Sequence, residues 1–538
     1  MSDLFSQEED FEDLELKKLP IGIQDFEILR GDGYLYVDKT QHLFRLIQTG
    51  KSYFLSRPRR FGKSLMLSTL EAIFKGRKDL FENTWILNSP EAMSYDWKEY
   101  PVIRIDMGKI SHKTPGDFAF ALKQRVLEIA DEYQVNLRAQ ITDAADAVDQ
   151  LITELFKLKK IKVVVLIDEY DKPILDHILA IEKADEIREV LRSFYGIFKS
   201  QDGNLQFLLL TGVTKFSKVS IFSGLNHPDD LTLTDVSSGL LGYTQEELEL
   251  NFMPYIKNLA RKFSSTVQEQ LEQIKTWYNG YKFSGEGVSV YNPFSVLRLF
   301  QHQQYRAHWF ETGTPTFLMK LIKTEAFNIS DLNQLRVTND ELNMSDISKM
   351  ELVALLYQTG YLTIKSYDSA LMAYDLDYPN LEVKTAFSNS LLAEFSEAPA
   401  GKQVTLYIHM MEGIKTGNYE KLFEALKIFL ASIPYTHSAK MTERDFQTVL
   451  FLLFTLMGYR MGLEVHTNQG RFDAILEFKD QICIFEYKIN QSAKKAMKQI
   501  KDKKYYEPYL NLNKKIHLFG INFSVKERNI NQWAHEKI

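Results

Sequence analysis

The sequence predicts an α/β protein in two parts. The first is a parallel sheet organised around a phosphate-binding loop and extended by a helical lid and a winged-helix-like segment; the second is a further α/β domain near the C-terminus. Three observations lead there. Ser56-Arg57-Pro58-Arg59-Arg60-Phe61-Gly62-Lys63-Ser64 joins the apolar run Tyr53-Phe54-Leu55 to the apolar-periodic Leu65-Met66-Leu67-Ser68-Thr69-Leu70. That is the strand, loop and helix plan in which backbone N–H groups and a helix N-terminus face phosphates, Lys neutralises them and Ser holds Mg²⁺. Val163 to Ile167 and Leu205 to Leu210 are short, nearly all-apolar runs separated by helical text, as strands buried on both faces are. Gly470 to Leu476 and Ile482 to Lys488 read as two more strands flanked by helices.

Composition sets the outer bounds. A chain of 538 residues with 45% hydrophobic content supports several cores. The net charge of −6 carries no global nucleic-acid signature, so such binding needs a local basic face. Cys483 is the single cysteine, which excludes a disulfide framework and a cysteine-based zinc site. The apolar stretch Val449 to Met457 is too short to span a bilayer, so no membrane partner is expected, and the first residues lack a basic, apolar and cleavage-site pattern. The expected location is cytoplasmic.

In chain order, residues 1–17 are an acidic tail with too few apolar groups for a core. Residues 18–240 hold the sheet: Gly31-Asp32-Gly33 is a turn, Tyr34 to Val37 reads as a short strand, a helix starts after Lys39, and strands and helices alternate through Val102 to Ile105, Val163 to Ile167 and Leu205 to Leu210. Residues 241–340 turn helical, interrupted by Trp277-Tyr278-Asn279-Gly280-Tyr281-Lys282-Phe283 and Tyr291-Asn292-Pro293-Phe294, and form the lid. In 341–395, helical text followed by a hairpin around Gly360 to Ile364 and Tyr378-Pro379-Asn380 suggests the winged-helix-like segment. Residues 396–538 are helices that lead, past Ile433-Pro434, into the last domain.

The pattern G-x-x-x-x-G-K-[ST] places its first glycine on Arg57, so the loop keeps only Gly62, Lys63 and Ser64. Support comes from Asp168-Glu169 at the end of the Val163 strand, where one carboxylate joins the Mg²⁺ shell and the next orients the attacking water. At the end of the Leu205 strand, Thr211 and Thr214 either sense the γ-phosphate or cap a turn. Arg57, Arg59 and Arg60 either approach phosphate or pair structurally.

These residues resemble the AAA-like ATPases of bacteria marked by an Arg-Pro-Arg-Arg-Phe-Gly-Lys-Ser loop. Leu19 to Phe26, Tyr36 to Thr40, Leu166 to Pro173, Phe222 to Asn226 and Trp309 to Gly313 share the resemblance, which spans most of residues 18 to 320. It implies a P-loop NTPase fold that binds ATP with Mg²⁺. Lys63 would contact the β and γ phosphates, Gly62, Arg60 and Thr211 would line the cofactor site, Ser64 and Asp168 would hold the metal, and Glu169 would be the hydrolytic base. The absent first glycine belongs to the family pattern.

The C-terminal strands carry the second concentration of chemistry. Residues i and i+2 share a strand face, so Glu486 and Lys488 point one way; with Asp473 on the neighbouring strand, two carboxylates and an ammonium can converge on a hard divalent cation and a scissile phosphate. Glu443 stands near the start of an upstream helix, and Gln499 and Tyr505 lie downstream. The order helix, strand, strand, helix suits a compact nuclease core, and the residues look like the PD-(D/E)XK fold that commonly closes proteins of the family above. The resemblance implies Asp473, Glu486 and Lys488 as catalytic core, Gln499 and Tyr505 as accessory residues, and Glu443 as an extra metal ligand beside Asp473 and Glu486; Phe472 replaces the usual proline. Lys494, Lys495, Lys498, Lys501, Lys503, Lys504, Lys514 and Lys515 are either a nucleic-acid face or a solvated lysine-rich surface.

The expected function is an ATP-binding and ATP-hydrolysing module coupled to a Mg²⁺-dependent nuclease, with DNA favoured over RNA as partner. The alternative is a nucleotide-switched nucleic-acid-binding protein that does not cut. An arginine finger from a neighbouring subunit would make the protein a homo-oligomer.

Overall fold

The structure is a computed structural model. It describes residues 16–138, 140–178, 180–215, 228–309, 318–319, 321–322, 335–342, 352–396, 403–433, 443–467, 469–478 and 480–538. The chain divides into two compact units, Met1–Gly313 with Leu335–Val383, and Thr314–Gln334 with Lys384–Ile538. The acidic tail through residue 15, the segment Phe222 to Asn226 and residues 310–313 lie outside the described residues.

The first unit is built on strands β1 (Ser52–Ser56), β2 (Val102–Asp106), β3 (Val163–Asp168), β4 (Leu205–Gly212) and β5 (Asp229–Asp230), interleaved with helices α1 (Lys63–Phe74), α2 (Pro115–Glu132), α3 (Ala144–Lys159) and α4 (Ile181–Ser200). All pairings are parallel, in the order β2-β3-β4-β1-β5. β3 is buried throughout, and on one face Ile103, Ile105, Val165, Ile167, Leu208 and Leu210 form a single core with the apolar sides of α2, α3 and α4. A parallel sheet covered in this way explains why its strands read as unbroken apolar runs. The exception is β5, two acidic residues paired to Tyr53 and Phe54, which no apolar run announces.

Residues Tyr34 to Val37, expected as a strand, form only an isolated bridge between Lys18 and Tyr34. Their alternation serves packing instead. Leu35 and Val37 enter the core of the lid helices, while Tyr36 lies edge-on to Phe26 at 5.1 Å.

Those helices are α5 (Gln245–Lys262), α6 (Val267–Tyr278) and α7 (Pro293–His302). α5 and α6 each begin with a full capping box, Thr244 with Glu247 and Thr266 with Glu269; α7 begins with Asn292 as N-cap and Pro293 in its first turn. Beyond them, β6 (Leu335–Thr338), α8 (Leu352–Thr359), β7 (Thr363–Asp368) and β8 (Ala373–Asp377) give a helix and an antiparallel three-stranded sheet, order β6-β8-β7. Helix α9 (Leu381–Ser396) follows, and the boundary between the two units falls inside it.

The second unit contains α10 (Gln403–Thr416), α11 (Tyr419–Ala431), α12 (Glu443–Leu456), β9 (Arg460–Thr467), β10 (Gly470–Glu477), β11 (Gln481–Ile489), α13 (Ala493–Asp502), β12 (Lys515–Ser524) and β13 (Asn529–Lys537). Its sheet runs β13-β12-β11-β10-β9, with β11 and β12 parallel and the other pairs antiparallel. The expected pair of strands is therefore the middle of a five-stranded mixed sheet. α13 packs Met497 and Ile500 against Ile482, Ile484 and Leu518. Because strand residues alternate between faces, α13 covers the face that carries Glu486.

Candidate functional site

Parallel pairing brings the C-terminal ends of β1, β2, β3 and β4 to one edge, with β1 at the point where strand order reverses, the usual seat of a ligand in such sheets. There β1 ends at Ser56 and the chain passes through residues 57–62 into α1. Gly62 has φ of +96°, a conformation cheap only without a Cβ, and it releases the chain into α1 so that first-turn N–H groups are left for an anion. Beside it lies a cleft of about 340 Å³ whose wall includes Arg60, Gly62, Lys63, Ser64, Glu169 and Phe294.

Lys63 is buried, and its Nζ donates to the carbonyls of Arg57 at 2.8 Å and Pro58 at 3.0 Å. Burial pushes its pKa down, and Asp168, Glu169 and Asp171 pull it back up. The lysine is thus turned onto its own loop.

Arg57 takes no part in the cleft wall. It is 1% exposed; Nη1 donates to the carbonyls of Ser56 and Thr232, each at 2.8 Å, and Nη2 to the Ser237 hydroxyl at 2.9 Å and carbonyl at 3.2 Å. Its guanidinium lies 4.2 Å from the centre of the Phe283 ring, and burial lowers its pKa to about 10. Of the two roles open to Arg57, the geometry is that of structural pairing, with carbonyls rather than acids as partners. Arg60 is exposed at the rim of the cleft, 5.0 Å above Phe294.

The acids form a second wall. Asp168 is buried and accepts a hydrogen bond from Thr211 Oγ1 at 2.8 Å and another from the Glu169 N–H at 3.0 Å. Thr211, expected among the cofactor residues, is fully buried and holds Asp168. Thr214 donates through its N–H at 2.7 Å and hydroxyl at 2.6 Å to Asp171, whose carboxyl pKa burial raises. Burial also raises the Glu169 pKa; Lys63 opposes this, and Asp168, Asp106 and Asp171 add to it.

Asp106 and Gly108 escaped the sequence reading. Asp106 ends β2 in register with Asp168, and its Oδ1 accepts from the Gly108 N–H at 3.0 Å. A Cβ on Gly108 would overlap the Glu169 carboxylate, so the absent side chain makes room for that group. The available signal was an acid at the end of the strand Val102 to Ile105.

In the second unit, Ala474 pairs with Phe485, which sets Asp473 level with Glu486. The Tyr487 N–H donates to Asp473 Oδ2 at 2.6 Å, and Lys488 Nζ donates to Glu486 Oε1 at 2.8 Å. Asp473, Glu486 and Lys488 therefore meet. Glu486 is 2% exposed, and its Oε2 finds no hydrogen-bond donor among the described residues. Burial, reinforced by Asp473 and opposed by Lys488, raises its pKa to about 7. Gln499 Nε2 donates to the Tyr505 hydroxyl at 3.4 Å, and the Tyr505 ring packs 5.3 Å from Phe472. Glu443 opens α12, and its side chain lies outside the described residues.

No group of three or more His, Cys, Asp or Glu that could hold a metal occurs among the described residues. Two carboxylates with one unmatched buried oxygen fit a cation that keeps much of its water, as Mg²⁺ does, rather than a closed cage. Among the lysines, Lys501 pairs with Glu536 at 2.5 Å and Lys504 with Glu507 at 2.9 Å; Lys494, Lys495, Lys498, Lys503 and Lys515 are exposed. No helix among the described residues is long and apolar enough to cross a membrane.

Comparison with known proteins agrees with this division. Residues 20–222 match a family described as predicted AAA-ATPase, and residues 441–533 match the PD-(D/E)XK nuclease superfamily. A protein of Azotobacter chroococcum mcd 1, "Uncharacterized protein in vnfD 5'region", is 38% identical over 532 residues, covering 96% of this chain and 98% of its own length. No solved structure matches.

Proposed function

The chain belongs to the family of AAA-ATPase-like proteins with a C-terminal PD-(D/E)XK nuclease-superfamily domain, and from that premise we propose that it hydrolyses ATP in its first unit and cleaves nucleic-acid phosphodiesters in its second. The observation that carries the nuclease half is Glu486: a buried carboxylate with one oxygen on Lys488 and the other without a donor. Such a group is costly unless a cation completes it.

In the first unit, Lys63 exchanges the carbonyls of Arg57 and Pro58 for the β and γ phosphates. Ser64 and Asp168 would hold Mg²⁺, which would neutralise charge on the phosphates, and Thr211 keeps Asp168 aimed. Glu169, made more basic by burial, orients and deprotonates water.

In the second, Asp473 and Glu486 would hold Mg²⁺, which would supply an activated water and stabilise charge on the scissile phosphate. Lys488 places a cation beside Glu486 for the same phosphate, and the Tyr487 N–H fixes Asp473. DNA is the preferred substrate over RNA, and exposed lysines of α13 hold its backbone.

The test is Mg²⁺-dependent cleavage of DNA and RNA by the wild-type chain against Glu486→Ala with Lys488→Ala. Loss of cleavage in the double variant is expected. Equal cleavage removes the assignment, and salt-sensitive binding without cleavage by either protein would identify a nucleotide-switched binder instead.

A further inference from the structure

A buried hydrogen-bond path runs from the phosphate loop to the start of α9. Trp309 is buried, and its Nε1 donates to the carbonyl of Arg59 at 3.1 Å. The Trp309 N–H donates to Glu382 Oε1 at 2.8 Å. Glu382, 0% exposed in the first turn of α9, accepts on Oε2 from the Ser295 hydroxyl at 2.8 Å. Ser295 belongs to α7, whose Phe294 and Leu297 form part of the nucleotide cleft wall. The same end of α9 is capped by Asn380, whose Oδ1 accepts from the Val383 N–H at 3.0 Å and whose Nδ2 donates to the Asn279 carbonyl at 2.8 Å.

We infer that Glu382 is a positioning residue through which the occupied or empty state of the phosphate loop sets the N-terminus of α9. The inference rests on the ATP-binding reading above. Its physical basis is adjacency in the loop. Lys63 occupies the carbonyls of Arg57 and Pro58 and must leave them to reach a phosphate, and the next carbonyl, that of Arg59, is the one held by Trp309. A change at residues 57–58 therefore reaches Trp309 within one peptide. Glu382 is attached to both sides of the nucleotide cleft, to the loop through Trp309 and to the lid helix through Ser295. A buried carboxylate that loses a donor without replacement is strongly disfavoured, so Trp309, Glu382 and Ser295 shift together or the helix start shifts with them. α9 is the helix in which the boundary between the two units falls, so its first turn is a place where nucleotide state can become a signal for the rest of the chain.

The experiment is hydrogen exchange on the full-length chain, read at residues 381–396, with and without a saturating ATP analogue that resists hydrolysis. Fluorescence titration of the analogue establishes binding separately. In the wild type, the analogue changes protection at 381–396 by about tenfold, the size of an ordinary coupling between sites. Glu382→Gln keeps the shape and removes the charge. Trp309→Phe keeps an aromatic ring and removes the indole N–H that donates to Arg59, together with part of the ring's packing against Tyr361. Both variants bind the analogue, and in both the change at 381–396 falls below about twofold. Binding with no change in the wild type, or variants that respond as the wild type does, overturns the inference while leaving the ATP reading standing. Absence of binding in the wild type overturns both.

Discussion

Glu486 offers a prediction whose sign follows from its surroundings. An exposed glutamate titrates at 4.5, whereas this one is raised to about 7, first by burial and then by Asp473, with Lys488 pulling the other way. Below about pH 4.5 the carboxyl is protonated in folded and unfolded chains alike, and its proton contributes no difference. Between about 4.5 and 7 the unfolded chain releases the proton first, so the folded strands lose stability as pH rises, and above about 7 the whole cost stands. At roughly 1.4 kcal/mol per factor of ten, the ceiling is about 3 to 4 kcal/mol, or roughly three-hundredfold in a local opening equilibrium. Hydrogen exchange of residues 470–489 in the full-length chain, with chelator present, reads that opening. The comparison is Glu486→Gln, which is neutral at every pH and cancels the intrinsic pH dependence of exchange. The wild type is expected to open progressively more easily than the variant from about pH 5 to 8, and Mg²⁺ at the upper end reverses this for the wild type only, because the metal takes the proton's place. Parallel profiles for the two proteins would refute the reasoning, as would a wild type that tightens with rising pH in the absence of metal.

Arg57→Gly, which writes the usual first glycine back into the loop, is expected to destabilise the first unit by about 3 kcal/mol or more, because the carbonyls of Ser56, Thr232 and Ser237 lose their donor; denaturant unfolding of the full chain measures it, and an unchanged midpoint would contradict the structural role. Gly108→Ala pushes the Glu169 carboxylate from its seat and lowers the ATPase kcat by at least about tenfold with KM little changed, so a proportionate rise in KM would point to damaged binding instead. Lys63→Ala removes a charge-assisted contact to phosphate and weakens nucleotide affinity by about tenfold or more, measured by fluorescent-nucleotide titration.

What could be read in advance depended on whether a residue's role lies in its own neighbourhood of the chain. Asp168 and Glu169 close an all-apolar run, and Glu486 and Lys488 alternate on one strand, so local period and residue type exposed them. Tyr34 to Val37 alternates equally well, yet its partners are lid helices some two hundred residues away, and that packing replaced the ladder a strand needs. Strand β5 was hidden because two aspartates paired to Tyr53 and Phe54 carry no β signal. Gly108 matters only because the Glu169 carboxylate stands where its Cβ would be, and Glu382 only because Trp309 and Ser295 converge on it. Gln499 and Tyr505 were found through family resemblance alone; their mutual hydrogen bond and the contact with Phe472 give a physical reason for the pairing.

The buried guanidinium of Arg57 also bears on descent. In the common form of the loop, a glycine grants the turn its freedom, and the instruction is complete at one position. Here the turn is held from outside by Thr232, Ser237 and Phe283, so the instruction is divided among three stretches of the gene. A mutation that restored the glycine would leave an aromatic ring and a set of carbonyls facing an empty space, and one that altered Phe283 would strand a buried cation. Relatives that have exchanged Arg57 are therefore expected to have changed Phe283 or Ser237 as well, a concerted substitution that an alignment of the family can confirm or deny.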